Sequence, residues 1–138
     1  ETLGGPHKPG RAFQVHEYEA QVPFTAAGLE ITAVPVRHYD MRAFGFRVRG
    51  DRLLAYSGDS GPCNALEELA RDADLLLSEA TLEDGGYDGP GRGHLSAAEA
   101  QQAAEGARAQ RTLLTHRPAE RPAPPGVEIA YDGLELEL

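Results

Sequence analysis

Arg52-Leu53-Leu54-Ala55-Tyr56-Ser57-Gly58-Asp59-Ser60-Gly61-Pro62 is the stretch that decides how this chain is read. An apolar run ends at Tyr56, two glycines bracket Asp59, and a helix-like pattern starts at Pro62. Gly58 and Gly61 let the backbone turn tightly or approach a ligand. Proline at a first helical position then restarts the chain as a helix. Asp59 is thereby placed at the carboxyl end of a buried strand, where α/β folds present metal ligands and catalytic groups. Alone, a Ser-Gly-Asp-Ser-Gly sequence is an ordinary turn. The elements on either side give it weight.

Upstream, Phe13 to Ala20 alternates in polarity and predicts a strand, followed by a turn over Pro23 to Gly28. Leu29 to Val36 is a β-branched run that ends at Arg37-His38-Tyr39-Asp40. Ala43 to Val48 and Arg52 to Tyr56 predict a hairpin across Arg49-Gly50-Asp51. Downstream, Ala65, Leu66, Leu69, Ala70 and Ala73 form one apolar helical face within Asn64 to Asp72 and just beyond it. Asp74 to Ser78 is a short continuous apolar run, the pattern of a strand covered on both sides, and it ends at Glu79. A glycine-rich loop over Glu83 to Arg92 delivers His94. Ser96-Ala97-Ala98-Glu99 is a capping box that opens a helix running to about Ala109. Thr112 to Thr115 is another buried strand, ending at His116. Ile129 to Leu138 predicts two short strands about a Tyr-Asp-Gly turn. Residues 1–12 carry no periodic pattern and are expected to be a loop or the remnant of a preceding element. His7 and His16 are expected to be plain surface or edge histidines.

At 138 residues the chain is the size of one domain, and a hydrophobic fraction of 41% can build a core. The net charge of −9 weighs against a broad nucleic-acid footprint, which needs clustered Lys and Arg. No run approaches the roughly 20 apolar residues of a membrane span, and no signal-peptide pattern opens the chain. The single Cys63 excludes an internal disulfide and suits a reducing compartment, so a cytoplasmic location is expected.

Four strand-like runs thus end in His38, Asp59, Glu79 and His116, and His94 precedes a helix. In an open α/β sheet the carboxyl ends of parallel strands gather along one edge. Two histidines and a bridging-capable aspartate suit zinc or manganese. Glu79 and His94 would form a carboxylate–imidazole pair tuned for proton transfer. Taken singly, each residue has a bland account: a strand-end histidine bonded to a carbonyl, or Glu79 paired with Arg92. The repetition of the pattern at five element ends is what points to a site.

These residues also carry a resemblance. Val36-Arg37-His38 ahead of Ala43-Phe44-Gly45-Phe46-Arg47-Val48, Tyr56-Ser57-Gly58-Asp59-Ser60, Leu77-Ser78-Glu79-Ala80-Thr81, Gly93-His94-Leu95-Ser96, Leu114-Thr115-His116 and Ala130-Tyr131-Asp132-Gly133 are similar, in this order, to motifs of the metallo-β-lactamase superfamily. The likeness is to its ribonuclease Z-like branch and covers about residues 13–138. It implies an α/β fold of the αββα sandwich type, of which this chain carries the C-terminal part, a mixed sheet with flanking helices. It further implies a metal-dependent hydrolase with two divalent ions, zinc first and manganese as the alternative. His38, Asp59 and His116 would hold the metals, with Asp59 bridging them. Glu79 and His94 would shuttle a proton to the leaving group of a phosphodiester or related ester, whether small molecule or nucleic acid. Homodimers are common in the family, so a homodimer is open to the complete protein.

Two departures shape the expectation. The family's His-x-His-x-Asp-His motif is absent, as is the strand before it, and Ser78 stands where the related motif has histidine. The chain is therefore expected to be a single incomplete domain, inactive by itself. The hairpin Phe46–Tyr56 is also too short to hold the tRNA-gripping arm found in many ribonuclease Z proteins. Processing of tRNA 3′ ends is thus an alternative rather than the leading expectation. A metal-free binding or structural module is the alternative from another class.

Overall fold

The computed structural model describes residues 14–84, 88–122 and 124–138. Its centre is a seven-stranded mixed sheet whose spatial order follows the chain: β1 (Phe24–Ala26), β2 (Leu29–His38), β3 (Met41–Arg49), β4 (Leu53–Tyr56), β5 (Leu75–Glu79), β6 (Thr112–Thr115) and β7 (Glu128–Ile129). Strands β1 to β4 pair antiparallel, and β4 to β7 pair parallel. The change of pattern follows from the connections. Tight turns join the first four strands, whereas α1 (Ala65–Ala70) and α2 (Ala97–Ala107) carry the chain back from β4 to β5 and from β5 to β6.

Both helices contribute to one core with the sheet. Leu66, Leu69 and Ala70 of α1 and Ala97, Ala100, Ala104 and Ala107 of α2 cluster with Val34, Leu53, Ala55, Leu76 and Leu114. The alanine stripe lets α2 lie close to the strands. From β3, Arg47 reaches the carboxyl end of α1, donating to the carbonyls of Glu68, Leu69 and Arg71 at 3.0, 2.6 and 3.2 Å. This supplies the cation that the last turn of α1 itself lacks. The capping box forms as expected: Ser96 Oγ accepts from the Glu99 amide and Glu99 Oε2 accepts from the Ser96 amide. Burial pushes the Glu99 carboxyl up, but the Ser96 amide and hydroxyl, together with Arg92, outweigh it and hold the group below its ordinary range.

The side chains of Phe24, Ile31, Phe46, Val48, Leu54, Tyr56 and Leu77 line an apolar hollow of about 410 Å³. Tyr18 lies over this surface, stacked on Phe24 and edge-on to Phe44 and Phe46. No helix among the described residues packs there. A sheet with helices on one face and an apolar second face is the mixed arrangement anticipated for the C-terminal part of an αββα sandwich.

Four boundaries differ from expectation. The described part of Phe13–Ala20 is not a strand. Residues 14–19 are exposed, and the segment meets the sheet through Gln21, whose amide donates to the Ala33 carbonyl, and through Tyr18. Phe24–Ala26, expected within a turn, pairs with Leu29–Ile31 as β1, and the turn shrinks to Ala27 and Gly28, both at positive φ, the two-residue geometry of a tight hairpin. Helix α1 starts at Ala65 rather than Pro62, because Gly61 bridges to Arg37 and keeps the chain extended past the proline. Of the two short strands expected in Ile129–Leu138, residues 134–138 form none; pairing stops at Ile129. His16 is exposed, as expected; residues 1–12, His7 and Phe13 lie outside the described residues.

Candidate active site at the carboxyl edge of the sheet

Strands β4, β5 and β6 run parallel, and β2 points the same way because β3 opposes both β2 and β4. Their carboxyl ends therefore share one edge of the sheet. His38 closes β2, Asp59 follows β4, Glu79 closes β5 and His116 follows β6, while His94 enters from the loop before α2. All five side chains meet there. Ligating atoms of His38, Asp59 and His94 lie within 4.8 Å of one another, as do those of Glu79, His94 and His116. The His94 ring sits between the other two imidazoles, 4.9 Å from His38 and 5.5 Å from His116 between centroids.

Glu79 anchors the group. It is 1% exposed, yet both of its oxygens are hydrogen-bonded. Oε1 accepts from the Ser60 amide at 2.9 Å and from His94 Nδ1 at 2.8 Å. Oε2 accepts from the Thr81 amide at 3.0 Å and lies 2.9 Å from the Thr81 hydroxyl. A buried carboxylate with three N–H donors and a hydroxyl in range is satisfied by the protein. Glu79 thus fixes the His94 ring through its Nδ1. Arg92, its other conceivable partner in the sequence, pairs with Glu99 instead. Ser57 secures the same point from below: its Oγ accepts from the Glu79 amide at 2.9 Å.

The other imidazoles are held by the same principle. His38 Nδ1 lies 2.8 Å from the Gly93 carbonyl, so it must be the protonated nitrogen, and Nε2 keeps its lone pair. His94 donates its Nδ1–H to Glu79 in a hydrogen bond, which likewise leaves the Nε2 lone pair. His116 Nδ1 lies 3.0 Å from Asp59 Oδ1 and 3.2 Å from the Thr81 hydroxyl. A histidine whose second nitrogen is fixed by a carbonyl or carboxylate is the usual form of a metal-ligating or proton-transferring imidazole. The bland account of His38, a bond to a carbonyl, is correct as geometry and leaves its Nε2 lone pair open.

Two glycines let the loop that carries His94 close on the site. A Cβ on Gly61 would fall 2.2 Å from the Arg92 carbonyl oxygen, and one on Gly93 would fall 2.5 Å from the Tyr39 ring and 2.7 Å from His38 Nδ1. Tyr39 and His116 both take left-handed backbone, with φ of 49° and 53°. Ser57, Thr81, Tyr39 and Asp88 also shape the site, through contacts that the sequence pattern does not announce. Thr81 was visible as the last residue of a motif two places past Glu79. Tyr39 and Asp88 left no sequence signal, since they meet across 49 positions.

The fold and this edge together define a class. The family described as beta-lactamase superfamily domain matches residues 3–117, and the chain belongs to it. The likeness to the metallo-β-lactamase superfamily drawn from the motifs therefore holds. An uncharacterized protein of Mycobacterium tuberculosis is 39% identical over 108 residues, covering 77% of this chain and 39% of that protein. Ribonuclease Z of Myxococcus xanthus is 36% identical over 104 residues, covering 65% of this chain and 34% of the enzyme. The crystal structure of a diphosphatase from the PhnP family superposes with a TM-score of 0.66 at 27% identity, covering 90% of this chain and 47% of that one. The chain spans well under half the length of the curated relatives it matches. Among the described residues no helix is long and apolar enough to cross a membrane.

Proposed function

We propose that the complete protein is a metal-dependent hydrolase of a phosphodiester or related ester, and that this chain supplies one side of its dinuclear site. The observation that carries the proposal is the His94–Glu79 pair set between His38 and His116, with Asp59 in reach. The donor set of imidazole nitrogens and one aspartate suits zinc, with manganese as the alternative. His38, Asp59 and His116 would hold the ions, which when bound supply Lewis acidity and a water of lowered pKa. Two protein donors per ion are too few for a stable zinc centre, so residues beyond this chain complete the set.

The chain's own part is proton transfer and positioning. Glu79 holds the Nδ1 proton of His94 and stabilises the ring when it is charged. His94 then gives a proton from Nε2 to the departing oxygen and takes one back in the next cycle. Phosphodiesters need this help, because an alkoxide leaves badly unprotonated. Asp59→Ala in the full-length protein is expected to remove bound metal and activity together. His94→Ala is expected to keep the metal and to slow turnover of a phosphodiester with an alcohol leaving group far more than turnover of bis-(p-nitrophenyl) phosphate; loss of metal from that variant would make His94 a ligand and end the shuttle assignment. The 138-residue chain alone is expected to be inactive toward the same compound with metal added.

Processing of tRNA 3′ ends is the second reading, favoured by the 36% identity to a protein named ribonuclease Z. The charge of −9 and the tight β3–β4 hairpin weigh against it. Cleavage of a precursor tRNA by the full-length protein would establish it. The metal-free module is disfavoured because the five expected side chains are all present and gathered. The single free Cys63 fits a cytoplasmic protein.

A further inference from the structure

One contact chain near the site has no part in the roles above. Asp88 uses both carboxylate oxygens across the loop before α2: Oδ1 accepts from the Tyr39 hydroxyl at 3.2 Å, and Oδ2 accepts from the Gly93 amide at 3.1 Å. Gly93 passes the contact on, because its carbonyl accepts from His38 Nδ1 at 2.8 Å. The Tyr39 ring closes over Gly93 so tightly that a Cβ would not fit, and it packs 4.9 Å from His38 and 5.7 Å from His94 between centroids. Tyr39 does this from a left-handed backbone while 41% exposed. Left-handed backbone costs about 1–2 kcal/mol for a residue with a side chain. A half-exposed tyrosine contributes little burial in return. Strain of this kind gathers where surrounding contacts fix a functional geometry.

We propose that Tyr39 and Asp88 are positioning residues, which lock Gly93 between His38 and His94 and so hold the two rings at a fixed separation. The inference rests on the proton-donating role of His94. Asp88 fixes the amide side of Gly93, Tyr39 fixes its open face, and the Gly93 carbonyl then fixes the tautomer of His38. Without Asp88 the 93–94 peptide can turn, which frees His38 Nδ1 and moves His94 away from the leaving oxygen.

The test uses the full-length, metal-loaded protein and a series of phosphodiesters whose leaving groups run from p-nitrophenol to a simple alcohol. Asp88→Ala is expected to lower kcat by about 10–100-fold for the alcohol, the usual penalty for losing an outer hydrogen-bond partner. It should leave kcat for the p-nitrophenyl ester and KM for both nearly unchanged. Tyr39→Phe, which keeps the ring and removes one hydroxyl, should show the same pattern at smaller size, and it answers the question if Asp88→Ala does not fold. Metal-free samples give an independent reading by long-range ¹H–¹⁵N spectra: His38 should pass from a single Nδ1–H tautomer to a mixture in Asp88→Ala. An equal loss across all leaving groups, no loss, or an unchanged His38 tautomer would overturn the assignment. His94→Ala is the control. If it shows no leaving-group dependence, the shuttle reading itself fails, whatever Asp88 does.

Discussion

Replacing Glu79 by glutamine changes one atom in a buried carboxylate, and the surroundings set the cost. The carboxylate accepts from the Ser60 amide, His94 Nδ1 and the Thr81 amide, with the Thr81 hydroxyl also in range. An amide side chain offers one oxygen. With that oxygen toward Ser60 and His94, its NH₂ confronts the Thr81 amide, donor against donor, while the Thr81 hydroxyl can turn to accept. One bond to a charged acceptor is lost, worth about 1.5–3 kcal/mol, and two more fall to neutral strength near 1 kcal/mol each. Relief of the desolvation cost of the buried charge offsets part of this. The net loss is about 2–3 kcal/mol, a large share of the roughly 5–15 kcal/mol that holds a protein folded. At a slope of about 2–3 kcal/mol per molar, the urea midpoint of the full-length protein should fall by about 1 M. The reverse placement of the amide would force His94 to carry its proton on Nε2, so kcat should fall roughly 10–100-fold in either case. A variant that unfolds at the wild-type urea concentration, or that keeps its kcat, would refute the claim that Glu79 is a satisfied anchor.

Two further outcomes follow from the same geometry. Gly61→Ala sets a methyl against the Arg92 carbonyl, backbone against backbone, so a loss of about 1–3 kcal/mol is expected. Amide hydrogen exchange should quicken over residues 92–95, whereas Gly126→Ala, strained by its own positive φ but remote from that loop, should leave residues 92–95 unchanged. Glu99 is held below its ordinary range in the folded chain, so its stabilising effect is present above the unfolded value near ~4.3 and is lost as pH falls through the lower folded value. Glu99→Gln should therefore flatten the acid side of a melting-temperature profile below about pH 4.5 and leave neutral pH less stable than wild type.

Much of the molecule was legible in advance where a local signal decides the outcome. The Arg49-Gly50-Asp51 turn, the Ser96–Glu99 box and the short apolar runs before Glu79 and His116 report their own structure, and four strand ends with the approach to α2 locate five side chains on one edge. The failures are places where a distant partner decides. Alternation over Phe13–Ala20 looks like a strand, but β1 occupies the neighbouring edge of the sheet and Tyr18 settles on the apolar face instead. Pro62 looks like a helix start, but Arg37 holds Gly61 extended. Glu79 meets His94, as the motif order suggests, while Arg92, its bland alternative, goes to Glu99 of the capping box. The Tyr39–Asp88–Gly93 contacts depend on how a glycine loop folds back, which no periodicity encodes.

Left-handed backbone at Tyr39 and His116 has a consequence for anyone improving this protein by selection. Glycine or asparagine at either position would relieve strain and raise heat resistance without disturbing the core. A library screened for survival at high temperature would reward those exchanges. Each would also strip an aromatic ring or an imidazole from the sheet edge. On the proposed roles, thermal fitness and chemical competence therefore pull these two positions in opposite directions, and a screen blind to turnover would count both side chains as defects.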